Sequence, residues 1–356
     1  MENPVMNILI FSPFYPPHIG GLESHSDEFN QYLARHGTHI TVFTPHLPTD
    51  APKEETRYNN VHIIRFPAFE PIHNYPIPKF WQVIFWQQWK SLCKKDYDIV
   101  ISRTRFFFPT LMALWYAHGQ NIPLLHIEHG SDFAQFNNVI KTTLGKMYDW
   151  ILGRFVLRHA DALIGNSHAS AHFVNKLSGR NNCHIIYRGT NKNIENIQPY
   201  QNIRAQYHNK TIIAFIGRLI DGKGVDDLIT AIAKLEREDI VCFIIGSGPK
   251  ENQLKKTVQE YHRKHQIVFF GNLPFDEAIA ILKTADIVVN PSYTEGLPTS
   301  VTEAALCHKA IIATDVGGTN EIIDGIDDGI LIPPKRPNIL AEKLELLIND
   351  AELRAK

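Results

Sequence analysis

Residues 285–323 read ADIVVNPSYTEGLPTSVTEAALCHKAIIATDVGGTNEII: an apolar strand, a polar loop, a helix, a second strand and a glycine pair, Gly317 and Gly318. An unbroken apolar run followed by a helix and another such run is the pattern of a βαβ unit with both sheet faces covered. The same alternation extends outward through TIIAFIG (211–217), IVCFIIG (240–246) and IVFFG (267–271). Further upstream it recurs in NILIFS (7–12), HITVFT (39–44), VHIIRF (61–66), DIVISR (98–103), LLHIEH (124–129), DALIGNS (161–167) and CHIIYR (183–188). The fold class is therefore α/β, with two Rossmann-like, doubly wound domains in series. Ligands in such sheets bind beyond the carboxyl ends of the strands.

The length of 356 residues suits two domains. A composition of 44% hydrophobic and 21% charged residues excludes disordered, collagenous and supercharged chains. With 36 Lys+Arg against 37 Asp+Glu the formal net charge is -1, so no global field draws the chain to nucleic acid, and none is expected as a partner. Cys93, Cys183, Cys242 and Cys307 form no C-x-x-C pair, which points to neither a zinc knuckle nor a disulfide framework and to a cytoplasmic location. The opening MENPVMNILIFSPFYPP does not fit a signal peptide, and no run approaches the ~18 apolar residues of a spanning helix. Any membrane contact is then peripheral, on the inner face. Residues 1–200 carry net +3 and 14 of the 18 histidines, whereas 201–356 carry net −4. The Asn/Gln-rich stretch 191–210 is the natural break, giving domains 1–195 and 196–356.

Three loops carry candidate chemistry. After the first strand, Gly20 and Gly21 precede a helix running to about Arg35; they either let backbone N–H groups approach an anion or make a tight turn. After TIIAFIG, Arg218 and Lys223 stand among Gly217, Gly222 and Gly224, an arrangement that favours a diphosphate over a merely solvated turn. In the opening stretch Glu295 lies in the loop and Glu303 in the helix, placed to accept hydroxyl hydrogen bonds from a sugar and a ribose on either side of a helix N-terminus. Ser300-Val301-Thr302-Glu303 equally matches a capping box. The only D-x-D, Asp96-Tyr97-Asp98, precedes its strand and reads as a turn, and HIEH (126–129) is not a metal-binding spacing, so no metal is expected. His126 reads as a core histidine.

E-G-L-P-T-S-V-T-E (295–303) resembles the E-x7-E motif of retaining family 4 glycosyltransferases, which have the GT-B fold. The likeness continues, in order, through Gly20, Gly21 and Glu23; His129 and Gly130; Ala160, Asp161 and Ser167; G-R-L with K-G at 217–219 and 223–224; G-x-G-P at 246–249; and D-V-G-G at 315–318. The resemblance implies two domains facing across a cleft, the first holding the acceptor and the second a UDP- or GDP-linked sugar. It implies that Glu303 binds the ribose, Glu295 the transferred sugar, and Arg218 and Lys223 the diphosphate. Gly20, Gly21, Asn272, Leu273, Gly296, Leu297 and Thr299 would complete the donor site, with His129 beside the sugar. Glu295, His129, Arg218 and Lys223 are the catalytic candidates; no cofactor is implied, the nucleotide sugar being a substrate. A sugar-nucleotide 2-epimerase of the same fold, or a non-catalytic subunit built on it, are the alternatives.

The chain departs from the family pattern in places. The usual N-G-x-D reads Arg188-Gly189-Thr190-Asn191, and R-G-H-E-V reads R-H-G-T-H-I (35–40). The sequence stops at Asp350–Lys356, where family members continue with a helix that crosses back to the first domain; relative domain motion is the expectation for such a chain. Two stretches bear on the acceptor. Residues 71–95 hold no acidic residue and carry Lys79, Lys90, Lys94 and Lys95 around five large aromatics; they read first as a core helix and second as a membrane-surface helix. A second basic, apolar pattern spans 141–159. Together they point to a glycan or lipid-linked acceptor, as in envelope polysaccharide or glycolipid synthesis.

Overall fold

The computed structural model describes residues 5–18, 20–72, 75–133, 139–189, 192–263 and 265–356. Its contacts divide the chain into two compact units, 1–188 and 189–356.

The first unit contains β1 (Asn7–Phe11), β2 (His39–Pro45), β3 (Glu54–Arg57), β4 (Val61–Phe66), β5 (Ala68–Ile72), β6 (Tyr75–Pro78), β7 (Ile99–Arg103), β8 (Leu124–Glu128), β9 (Ala162–Gly165) and β10 (Cys183–Ile185). Its main sheet has the order β10-β9-β8-β7-β1-β2-β4-β3, and β5 and β6 pair as a separate ribbon. All neighbours in the main sheet are parallel except β3, which pairs antiparallel with β4 at the edge. Its sequence, Glu-Glu-Thr-Arg, has no apolar run to announce it, because an edge strand need bury neither face fully. The helices are α1 (Gly21–Arg35), α2 (Val83–Leu92), α3 (Phe108–Gln120), α4 (Val139–Tyr148), α5 (Arg154–His159) and α6 (His168–Ser178), with a π-helical turn over Asp149–Gly153 joining α4 to α5.

The stretch 71–95 is largely not helix: its first part belongs to the ribbon and only Val83–Leu92 is helical. The helix is two-faced. Phe85, Trp89 and Leu92 enter the core, while Trp81, Val83, Ile84 and Trp86 stay exposed.

The second unit is a six-stranded parallel sheet, ordered β13-β12-β11-β14-β15-β16. Its strands are β11 (Thr211–Ile216), β12 (Ile240–Ile245), β13 (Ile267–Gly271), β14 (Ile287–Asn290), β15 (Ala310–Thr314) and β16 (Ile330–Ile332). Helices α7 (Gln201–Gln206), α8 (Val225–Lys234), α9 (Glu251–Glu260), α10 (Phe275–Leu282), α11 (Thr299–Leu306), α12 (Pro337–Asn349) and α13 (Ala351–Ala355) complete it. Val225, Leu228, Ile229 and Ile232 recur at helical spacing and bury one face of α8; Leu340, Leu344 and Leu347 do the same for α12 in the same cluster. On the other face a second cluster gathers Ile279, Leu282, Val301 and Ala304. The stretch 191–210 is not a bare connection, since Ile194 is buried in that second cluster and Ile197, Ile203 and Tyr207 pack on it.

Both sheets reverse direction of growth once. In the first, the chain moves outward through β1, β2 and β4 and returns to β7 beside β1. In the second, it moves outward through β11, β12 and β13 and returns to β14 beside β11. The loops following β1 and β7, and those following β11 and β14, therefore flank the switch points where open α/β sheets hold ligands.

Candidate active site

At the second unit's switch point two loops are locked together. Gly217, Arg218 and Leu219 leave β11, Asp221–Lys223 forms a short 3-10 turn, and Gly224 starts α8 with φ +64°. A Cβ at Gly224 would fall on the carbonyl of Pro291, so the close approach of this loop to the one after β14 requires glycine. Tyr293 N–H donates to the Gly222 carbonyl at 2.8 Å, sealing the approach. Lys250, from the loop after β12, pairs with Asp221 at 2.9 Å and with Asp226, fixing the turn from its other side. Gly246 permits a further backbone contact: with φ +127°, its Cβ would land on the Gly217 carbonyl.

The consequence is an ion pair across 72 residues of sequence: Lys223 Nζ lies 2.6 Å from Glu295 Oε1. Spacing alone brought neither residue to the other, and the structure sets Lys223 beside a carboxylate rather than alone on a glycine turn. Arg218 is half-buried, and its guanidinium has no hydrogen-bond or ion-pair partner among the described residues.

The loop after β14 is held from below. Asn290 Nδ2 donates to Ser300 Oγ at 2.7 Å, Ser292 N–H donates to Asn290 Oδ1 at 3.2 Å, and Thr314 Oγ1 donates to the Ser292 carbonyl at 2.5 Å. Gly318 N–H donates to the Gly296 carbonyl at 2.9 Å, which ties the D-V-G-G turn to the E-G step. Helix α11 begins at Thr299 after Pro298, and no side chain caps it. Ser300 is thus inside the first turn and bonded to Asn290, so the capping-box reading of Ser300 and Glu303 fails. Thr299 and Leu297 flank that helix start, and Glu303 is half-buried within the helix. Asn272 and Leu273 follow β13; Asn272 is exposed and Leu273 packs on the core beneath.

Gly20, Gly21 and His129 belong to the first unit. Gly20 caps α1, and a Cβ there would collide with the Glu23 carboxylate, which is buried and accepts from His18 Nδ1 at 2.5 Å. Thr190 and Asn191, where the chain departs from N-G-x-D, lie outside the described residues. Asp98 sits at the amino end of β7, bonded to the Asn7 backbone at 2.7 Å, on the edge of the sheet opposite to its ligand-binding loops.

Beyond β8 lies a buried charge network that sequence reading missed. Glu128 accepts from the N–H groups of His129 and Gly130 at 2.9 Å and pairs with Arg105 at 3.1 Å. These partners, led by the Arg105 charge, hold its carboxyl well below the usual range despite full burial. Arg105 also holds Asp149 at 3.0 Å, and His126 is a core histidine between Ser102 Oγ and Glu128. One guanidinium faces two carboxylates, so burial pushes the Asp149 carboxyl up to about 6. The signal available was R-T-R (103–105) at a strand's carboxyl end, two arginines where ligands bind.

His129 sits at the centre of this region. Burial and the nearby Arg103 lower its pKa to about 3, and burial, His129 and Arg103 lower that of His25 to about 2. Both rings are therefore neutral at pH 7, hydrogen-bonding groups rather than charges. The unfolded chain takes up protons on them below about pH 6.5 while the folded chain does not, so stability present above about pH 6.5 is lost as pH falls toward 3. Urea melts at pH 7 and pH 5 check this: the native chain loses at most about 1.4 kcal/mol per pH unit for each ring, and His25→Gln flattens the slope.

The match to known families is decisive. The model "Glycosyltransferase Family 4" matches residues 19–193 and "Glycosyl transferases group 1" matches 196–356. An uncharacterized glycosyltransferase of Methanocaldococcus jannaschii is 36% identical over 98% of this chain and 91% of its own length. The chain is a family 4 glycosyltransferase. It belongs to a retaining family that transfers sugar from nucleotide sugars. Its fold is GT-B: sucrose-phosphate synthase from Thermosynechococcus elongatus superposes with TM-score 0.82 at 21% identity, over 98% of this chain and 91% of that one. A protein of Anabaena, solved in complex with UDP-glucose, superposes with TM-score 0.77 at 18% identity, over 98% and 92%.

Proposed function

We propose that this glycosyltransferase binds a UDP- or GDP-linked sugar on its second unit and passes the sugar, with retention, to a glycan or lipid-linked acceptor held by its first. The observation that carries the donor reading is the Lys223–Glu295 pair at the switch point. An arriving diphosphate takes the Lys223 charge, Arg218 supplies a planar fork, and Glu295 is released to accept hydroxyl hydrogen bonds from the sugar. Backbone N–H groups at Gly296–Leu297 and the start of α11 meet the phosphate. Glu303 takes the ribose hydroxyls, with Asn272, Leu273 and Thr299 around the nucleotide.

In this reading the departing phosphate accepts the acceptor's proton on the same face of the sugar. The protein supplies placement and stabilises the charge that grows on the leaving group. His129, neutral, hydrogen-bonds the sugar and moves no proton. Calorimetry with UDP-glucose and GDP-mannose, with and without EDTA, tests the site. Binding of one of them is expected to survive chelation, since two protein cations face the diphosphate; abolition by EDTA, or no binding of either, refutes it.

The lipid-linked acceptor is supported by the surface of α4, the π turn and α5. Leu144, Met147, Trp150, Ile151 and Phe155 are exposed there, with Lys146 and Arg158 among them, while the segment's one acidic residue, Asp149, is buried on Arg105. An apolar, aromatic and basic surface suits an anionic bilayer. The chain is expected to sediment with phosphatidylglycerol vesicles and not with phosphatidylcholine ones, and an Ile151→Glu, Phe155→Glu double variant to remain in solution. Among the described residues no helix is long and apolar enough to cross a membrane.

A further inference from the structure

Arg103 ends β7, beside β1 at the first unit's switch point, and its side chain is wholly buried. Nη1 approaches His25 Nδ1 at 3.4 Å, and the guanidinium carbon lies 4.9 Å above the Phe29 ring. Nε and Nη2 have no partner among the described residues. Those two N–H groups form one edge of the guanidinium, the edge that takes an oxyanion bidentately. No carboxylate pairs with Arg103 among the described residues, and burial alone pulls its pKa down, to about 10. A buried guanidinium with three of its five N–H donors unmet is costly.

The neighbouring groups are of the same kind. His129 Nε2 is buried without a partner among the described residues, and its ring centroid lies 5.1 Å from that of His25. Because His25 Nδ1 faces an Arg donor, its proton sits on Nε2, where it can donate. Arg188 donates to the Gly21 carbonyl at 3.4 Å and to Glu28 at 3.1 Å, while its Nε has no partner among the described residues. Helix α1 begins just there, adding its positive end. Of the buried acids on these elements, Glu128 is already engaged by Arg105, His126 and two backbone N–H groups, and Glu23 by His18.

The geometry points to a built oxyanion site at the carboxyl edge of the first sheet, in which the buried, unpartnered edge of Arg103 takes a phosphate or carboxylate of the acceptor, with His25 and Arg188 donating around it. This rests on the reading of the first unit as the acceptor half. The donor's diphosphate has its own cations, Arg218 and Lys223, in the second unit, so a second oxyanion site selects an acceptor that itself carries negative charge near the hydroxyl that receives the sugar. A phosphorylated sugar or lipid, or an acidic sugar, satisfies it; a neutral oligosaccharide does not.

The test uses the full chain and two probes, inorganic phosphate and acetate, each against chloride at equal ionic strength, with melting temperature as readout and with UDP present or absent. At tens of millimolar, phosphate, acetate or both are expected to raise the melting temperature by a few degrees, additively with UDP. Phosphate alone assigns a phosphate ester, and a response to acetate assigns a carboxylate. Arg103→Met removes the shift. Arg103→Lys, which keeps the charge and loses the fork, weakens the anion about tenfold and serves if Arg103→Met does not fold. Arg218→Gln leaves the anion shift intact. The proposal is overturned if neither anion shifts the native chain, if the shift survives unchanged in the Arg103 variants, or if UDP or Arg218→Gln abolishes it. That last pattern would put the ion in the donor site. Failure of UDP to bind at all would instead remove the donor reading and leave the anion result to stand by itself.

Discussion

Glu295→Ala is expected to leave UDP affinity at least at its native value while lowering turnover of the nucleotide sugar by about 10²–10³-fold, the usual cost of losing one contact made to the reacting group. The structure sharpens the first half of this expectation. Removing Glu295 frees Lys223 from its 2.6 Å ion pair, so the lysine meets a diphosphate without first surrendering a partner. Glu303→Ala is expected to do the opposite, weakening UDP itself by about ten- to a hundredfold, because a hydrogen bond to a charged group contributes ~1.5–3 kcal/mol. Helix α11 is capped by no side chain, so the Glu303 variant should melt close to the native temperature. Calorimetry with UDP, steady-state turnover and melting curves on both variants separate the roles. Equal losses of UDP affinity in the two would show that neither carboxylate is specific to ribose or sugar.

The largest effect on stability is expected from Arg105→Ala. Arg105 is almost wholly buried between Glu128 and Asp149, donates to the Asp132 carbonyl at 2.8 Å and stacks 4.3 Å above the Phe173 ring. Its removal leaves two carboxylates in a low-dielectric interior, and breaking such a buried set costs about 3–5 kcal/mol. At ~2–4 °C per kcal/mol for a unit of this size, the melting temperature should fall by roughly 6–20 °C. The sign of the pH response identifies the cause. Without the guanidinium both carboxyls are raised by burial, so the variant should regain stability as pH falls and they protonate. Asp149→Asn in the Arg105→Ala background should likewise recover part of the loss. A change within ~0.5 kcal/mol would mean that water, not protein, pairs these carboxylates.

Much of this architecture was legible in the sequence, for a definite reason. Twelve of the sheet strands coincide with apolar runs such as TIIAFIG and AIIAT, because strands buried on both faces must be apolar throughout. Strands that need not be so escaped: β3 is charged and peripheral, β5 and β6 form an outlying ribbon, and β16 is a three-residue edge strand. The E-x7-E stretch was legible because its loop and helix are local. The Lys223–Glu295 pair was not, since it depends on β11 and β14 being neighbours, which spacing along the chain does not encode. The same holds for Arg103 with His25 and for Arg105 with Asp149, each joined through the parallel order of the sheet. Ser300 misled in the other direction: its spacing to Glu303 is that of a capping box, but the helix starts one residue earlier and Asn290 claims the hydroxyl.

A crystal structure of the chain with UDP-glucose or GDP-mannose tests the central claim most directly. The account predicts the diphosphate within hydrogen-bond distance of Arg218 and Lys223, with the ribose hydroxyls on Glu303 and Glu295 turned from Lys223 to the sugar. A nucleotide bound elsewhere, or one bound with the Lys223–Glu295 pair still closed, would contradict it.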